Sequence, residues 1–145
     1  MVSIDPGEKH VGVAFWADDG SLLDAYEVRP EDLLDLLYRT APTTVVVETF
    51  TLSSNGYSRA KAHQAAETLK LIGAIRGVGF ALGYVNRAFV VHEQQPSVRH
   101  VAMRSPWWRE LERPTNPHVR SAVAHGLYWL RFSKKGTAAR ARSGG

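Results

Sequence analysis

Apolar residues follow two rhythms along this chain of 145 residues. Unbroken β-branched and aromatic runs predict strands, and runs spaced by three and four predict helices. Met1–Ile4 and His10–Trp16 read as strands joined by the turn Asp5-Pro6-Gly7, whose φ demands suit Pro and Gly. Asp18-Asp19-Gly20 marks a second turn and Ser21–Val28 a third strand, so an antiparallel meander is expected. Pro30 sits where a first helical turn tolerates it, and Leu33, Leu34, Leu36 and Leu37 recur at helical spacing through Arg39. Ala41-Pro42 ends that helix. Thr44–Thr49 is β-branched without alternation, the mark of a central strand covered on both faces.

Thr51–Tyr57 reads as a polar loop and Ser58–Tyr84 as a long helix. Gly73, Gly77 and Gly79 weaken that helix by roughly 1 kcal/mol each relative to Ala. The compensation expected is close approach to the sheet or to another subunit's helix. Arg87–His92 is predicted as the fifth strand, with short helical pieces at Pro96–Met103 and Trp107–Leu111. Trp107 and Trp108 are assigned to the core or to a dimer contact. Asn116 caps a last helix, with Pro117 in its first turn, running to about Phe132. The order βββ-α-β-α-β-α defines an α/β chain: a mixed five-stranded sheet with helices on both faces, in one domain over 1–132. Residues 133–145 hold Lys134, Lys135, Arg140, Arg142 and three glycines, and read as a flexible basic tail.

Charge sharpens this picture. Residues 1–52 carry a net −7 and residues 53–145 a net +11, within an overall +4. A small acidic cluster beside a basic half suits a protein that grips a polyanion; a generally basic surface is the plainer alternative. No run approaches the roughly 20 apolar residues of a membrane span. With no basic region followed by an apolar stretch near Met1, a cytoplasmic protein without a secretory signal is expected. The absence of cysteine leaves His and carboxylates as metal ligands.

Three distant segments then stand out: Ser3-Ile4-Asp5-Pro6-Gly7, Val45-Val46-Val47-Glu48 and His118-Val119-Arg120-Ser121-Ala122. If the first and fourth strands are neighbours, Asp5 and Glu48 emerge at one end of the sheet. His118, Ser121 and His125 share one face of the last helix. Val119, Val123, Gly126, Leu127 and Leu130 form the adjacent inward stripe. Hard divalent cations take oxygen ligands, and Mg²⁺ is commonly completed by waters and substrate phosphate. Two such ions about 3.5–4 Å apart can activate a water and stabilise a leaving 3′-oxygen. Plainer readings stand beside each residue. Asp5 could be a turn aspartate, Glu48 a solvated loop-start acid, His118 a surface residue of a helix start, and His125 a packed side chain or a partner of Ser121.

The ordered set Ser3-Ile4-Asp5-Pro6-Gly7…Val11-Gly12-Val13-Ala14, Val46-Val47-Glu48, Leu71-Ile72-Gly73-Ala74-Ile75-Arg76-Gly77, Gln95-Pro96-Ser97-Val98-Arg99 and His118-Val119-Arg120-x-Ala122 resembles the RuvC-type Holliday junction resolvases, most nearly their bacteriophage branch. The resemblance covers about residues 1–132. It implies an RNase H-like fold, a homodimer, and nicking of branched DNA (four-way junctions, with forks and flaps as further candidates) supported by Mg²⁺ or Mn²⁺, two per active site with substrate bound. Asp5 matches the acid expected to bridge both metals, Glu48 the acid of the fourth strand, and His118 the helix position that is Asp or His in the family. Ser121 departs from the pattern, because the family carries Asp there. It is either an inactivating replacement or a natural variant that tolerates Ser or recruits His125. The imidazole at 118 shifts preference toward Mn²⁺.

The same resemblance directs attention to the loop after Glu48, where a family aromatic wedges into the junction. Phe50 and Tyr57 bracket that loop, with Arg59 and Lys61 beyond it and Lys134 and Lys135 in the tail as phosphate contacts. Phe50 reads equally as a core residue closing the strand end. The glycine-bearing helix, with Phe80 and Leu82, is the candidate dimer surface. Three rivals remain. An actin-like or sugar-kinase ATPase shares Asp5-x-Gly7 but needs a second domain. A YqgF-type nuclease has the same fold but lacks the paired positions 118 and 121. A catalytically silent branched-DNA binder would explain Ser121, though it gains nothing from keeping Asp5 and Glu48 close to DNA.

Overall fold

The computed structural model describes residues 1–49, 59–85, 90–111, 114 and 116–133, with backbone alone at 59–65 and 84–85. Strands β1 (Val2–Asp5), β2 (Val11–Trp16) and β3 (Leu22–Val28) precede helix α1 (Pro30–Thr40) and strand β4 (Thr44–Glu48). Helix α2 (Arg59–Val85), strand β5 (Val90–Gln94) and helices α3 (Val98–Met103), α4 (Pro106–Glu110) and α5 (Pro117–Phe132) follow. The sheet order is β3-β2-β1-β4-β5. β1, β2 and β3 pair antiparallel, as the turn chemistry predicts, while β1–β4 and β4–β5 are parallel.

Alternation along the strands builds two separate cores. Val2, Ile4, Val11, Val13, Val45 and Val47 face Leu33, Leu36 and Leu37 of α1 and Ile75 and Val78 of α2. Ala14 and Trp16 face the other way, onto Ala102, Trp108 and the α5 residues Ala122, Val123, Ala124 and Leu127. Fully burying each Val, Leu or Ile contributes about 1.5–3 kcal/mol, so helices on both faces are required to cover the sheet. Trp108 belongs to the second core and Trp107 packs against its rim.

α5 lies tightly on the sheet because small residues let it. An added Cβ at Gly12 would collide with the His118 carbonyl, and one at Gly126 would collide with the Trp16 indole. The Ser3 hydroxyl donates to the Ala122 carbonyl at 2.6 Å and accepts from Trp16 Nε1 at 2.9 Å. These bonds cross β1, β2 and α5. At the N-terminus of α5, the Asn116 side chain accepts from the backbone N–H of His118 and Val119 at 2.9 and 3.3 Å, the cap its sequence predicts.

Two expectations need correction. The fifth strand is Val90–Gln94 rather than Arg87–His92. Its extent follows parallel pairing with β4, Thr44↔Val90 through Glu48↔Gln94, rather than its own apolar run. Residues 86–89 lie outside the described residues. Nor do Gly73 and Gly77 of α2 make room for the sheet: a Cβ at either would meet nothing within 4 Å among the described residues, which leaves another subunit's helix as the expected reason for them. The expected loop Thr51–Tyr57 and the tail beyond Ser133 lie outside the described residues.

Candidate active site

Parallel pairing of β1 with β4, in the register Ile4↔Val47, brings Asp5 and Glu48 off the same end of the sheet. Both turn toward the face that α5 covers. Their neighbours in sequence, Ile4 and Val47, are fully buried in the opposite core. From above, α5 lowers Ser121 and His125 onto Glu48, and His118 onto Asp5.

Glu48 Oε2 is the hub. It accepts from the Ser121 hydroxyl at 3.0 Å and from His125 Nε2 at 2.7 Å, and Arg99 Nε stands 3.6 Å away. The His125 ring is 0% exposed, and its other nitrogen, Nδ1, lies 2.8 Å from Gln94 Oε1. Arg99 Nη1 also donates to Ser121 Oγ at 3.4 Å, while its Nε donates to the Pro96 carbonyl at 3.0 Å. Across the cluster, His118 Nδ1 is 3.5 Å from Asp5 Oδ2. The His118 ring stacks on His10 at 5.8 Å between centroids. His10 is paired with Glu27 of β3, which also accepts from Asn116. The edge strand thus braces the start of α5 beside Asp5.

The two carboxyls respond oppositely to this setting. Burial, and then the charge of Glu48, raise Asp5 from its ordinary 3.8 to about 7, against the pull of Ser121, His125 and Arg99. Burial also pushes Glu48 upward, but the hydrogen bond and charge of His125, with Arg99 and Ser121, outweigh it and hold Glu48 below its ordinary value. Glu48 is therefore the settled anion of the pair and Asp5 the one short of positive charge.

That donor set fits a divalent cation at Asp5. A dication facing Asp5 and Glu48 would offset both the burial and the Glu48 charge that raise Asp5, and waters and a phosphate oxygen would complete its shell. Among the described residues, no three His, Asp or Glu side chains converge as ready-made ligands. The fit is to a site that the phosphodiester finishes, not to a closed protein cage.

Of the residues expected at the site, Asp5, Glu48, His118 and Ser121 all come together. His125 does too, as a packed side chain rather than as a partner of Ser121: its fully buried ring bonds Glu48 and Gln94. The reason is helical. One further turn of α5 carries the ring past Ser121 to the ends of β4 and β5. Gln94 carries no local signal of this role, because the apolar run that predicts its strand stops before it. Arg99 was legible as part of Gln95-Pro96-Ser97-Val98-Arg99, yet nothing local marks it as reaching Glu48. Phe50, Tyr57, Lys134 and Lys135 lie outside the described residues. Arg59 and Lys61 fall in the first turn of α2, where only backbone is described.

No protein-family model and no curated protein matches the chain. Solved structures do. A Thermus thermophilus RuvC in complex with a Holliday junction substrate superposes with a TM-score of 0.62 at 23% identity, covering 99% of this chain and 96% of that one. A second Thermus thermophilus RuvC structure gives a TM-score of 0.57, also at 23% identity, covering 99% and 97%. A fowlpox virus resolvase, in complex with Holliday junction DNA, gives 0.56 at 14% identity, covering 88% and 96%. The fold is therefore RuvC-like, a mixed five-stranded α/β domain of the RNase H-like class, as expected. No helix among the described residues is long and apolar enough to cross a membrane.

Proposed function

We propose that this chain is a metal-dependent endonuclease that resolves Holliday junctions and related branched DNA by paired nicks. It would act as a homodimer in the cytoplasm of a bacterial or phage-infected cell. The carrying observation is the meeting of Asp5, Glu48 and His118 at one sheet end, in a fold shared over nearly the whole chain with a RuvC solved on a Holliday junction substrate. The affiliation with the bacteriophage branch rests on the sequence motifs alone.

Mg²⁺ or Mn²⁺, when bound, would supply a polarised water and neutralise charge on the phosphate. Asp5 and Glu48 are the ligands proposed, with His118 beside Asp5. In the reaction one water is consumed: its oxygen bonds to phosphorus, the bond to the 3′-oxygen breaks, and that oxygen takes up a proton. The chain's own part is positional. His125, locked against Gln94, fixes the rotamer of Glu48, and Ser3 with Trp16 fixes the height of α5 above both acids. Phe50 and Tyr57 are proposed to meet the junction bases. Arg59, Lys61, Lys134 and Lys135 are proposed to meet its phosphates.

The test is a synthetic four-way junction with and without Mn²⁺. Paired nicks that vanish in Asp5→Asn and Glu48→Gln support the assignment. Retarded mobility without nicks, at any divalent concentration, favours the silent junction-binding protein. That second reading draws on one specific observation: Ser121 adds no charge, and Glu48 is already engaged by three protein groups.

A further inference from the structure

The groups that surround Glu48 are the wrong kind for a second cation. Ser121 Oγ–H and His125 Nε2 bond to Oε2, and Arg99 stands 3.6 Å from it with a guanidinium that cannot lose its charge. Arg99 reaches Ser121 as well, so its cationic head lies between the acid end of β4 and the middle of α5. The backbone of Pro96 anchors its Nε and a third of the side chain remains open to solvent, leaving it room to meet a ligand. Among the described residues, Asp5 has no cationic side chain at this range beyond the His118 ring, 3.5 Å from its Oδ2.

We propose that the site works with a single divalent cation, held at Asp5 with Glu48, and that Arg99 takes the second cation's place by donating to a non-bridging oxygen of the scissile phosphate. This rests on the nuclease reading and specifies how that site is charged. Counting formal charges, Asp5, Glu48 and Arg99 sum to −1, and one dication with one phosphodiester brings the cluster to zero. A second dication would leave a net positive cluster beside a guanidinium held by the Pro96 carbonyl. The planar fork of Arg99 can contact a phosphate oxygen and Ser121 together, which a lysine could not reproduce.

The test combines a metal count with kinetics. Bound Mn²⁺ is measured by equilibrium dialysis on the protein–junction complex, corrected for the junction alone, and by electron paramagnetic resonance. The wild type should hold one Mn²⁺ per protomer with no spin-coupled pair, and its nicking rate should rise with a Hill coefficient near one in Mn²⁺. Arg99→Ala should lose nicking by about 100-fold or more, with the Mn²⁺ count unchanged and junction affinity altered only a few-fold. Arg99→Lys should recover part of that loss. The double change Arg99→Ala with Ser121→Asp should bind two coupled Mn²⁺. Two Mn²⁺ per wild-type protomer, or wild-type nicking by Arg99→Ala, overturns the single-cation inference and leaves the nuclease assignment standing. A wild type that binds Mn²⁺ and junction yet never nicks overturns the nuclease assignment, and the role of Arg99 with it.

Discussion

Replacing Asp5 with Asn should make the metal-free protein more stable, increasingly so as pH rises. Asp5 is shifted from its ordinary 3.8 to about 7, chiefly by burial and then by Glu48. A carboxyl with a folded pKa above its unfolded one binds its proton more tightly in the native state. Stability therefore falls as pH rises through that interval and levels off above about 7. Each pKa unit is worth about 1.4 kcal/mol. Between pH 5 and pH 8, a window that spans the native pKa of about 7, the wild type should lose ~3 kcal/mol that Asp5→Asn retains. For a chain of 145 residues that is roughly 9 °C in Tm. The downward shift of Glu48 acts at its own acid limb, below its ordinary 4.5, and lies outside this window. The assay is urea unfolding of both proteins at pH 5 and pH 8 in chelator, repeated with millimolar Mg²⁺ or Mn²⁺. The difference between the two proteins isolates Asp5 from the histidines. Cation should stabilise the wild type at the higher pH and do little for Asp5→Asn. A wild-type-to-variant gap that stays flat across this pH range would refute the electrostatic account of the site.

Other outcomes follow from single contacts. His125→Ala leaves the Gln94 amide and Glu48 without their buried partner and should cost about 1–3 kcal/mol in unfolding free energy; an unchanged urea midpoint would contradict the buried bonds. Ser121→Asp adds a carboxylate beside Glu48 and, on the reading of Ser121 as an inactivating replacement, should raise nicking and tighten metal binding, read by calorimetry; no gain in either would argue against that reading. Gly126→Ala drives a methyl into the Trp16 indole and should destabilise by about 1–3 kcal/mol, whereas Gly73→Ala, which meets nothing among the described residues, should be neutral or stabilising in thermal unfolding. With His118 near Asp5, Mn²⁺ should support faster nicking than Mg²⁺ at equal low concentration, and equal rates would exclude a metal contact at 118.

The strand and helix content, the antiparallel meander and the cap at Asn116 were legible in the chain. Each is written in local chemistry: turn residues at Asp5-Pro6-Gly7, the β-branched run before Glu48, and an Asx cap ahead of Pro117. Asp5, Glu48, His118 and Ser121 could be singled out for the same reason, because an acid ending an apolar strand or a face repeating at helical spacing is a short-range signal. What joins them is not local. The β1–β4 pairing that sets Asp5 beside Glu48, and the β4–β5 register that places Gln94 under His125, depend on partners distant in sequence. A strand's own residues do not state its register; the neighbour that satisfies its backbone hydrogen bonds does. Arg99 shows the same limit, for its reach to Glu48 exists only after α3 and α5 have packed. The identity of the groups was a property of the sequence, but their charges and mutual distances are properties of the packed molecule, where burial and proximity act together.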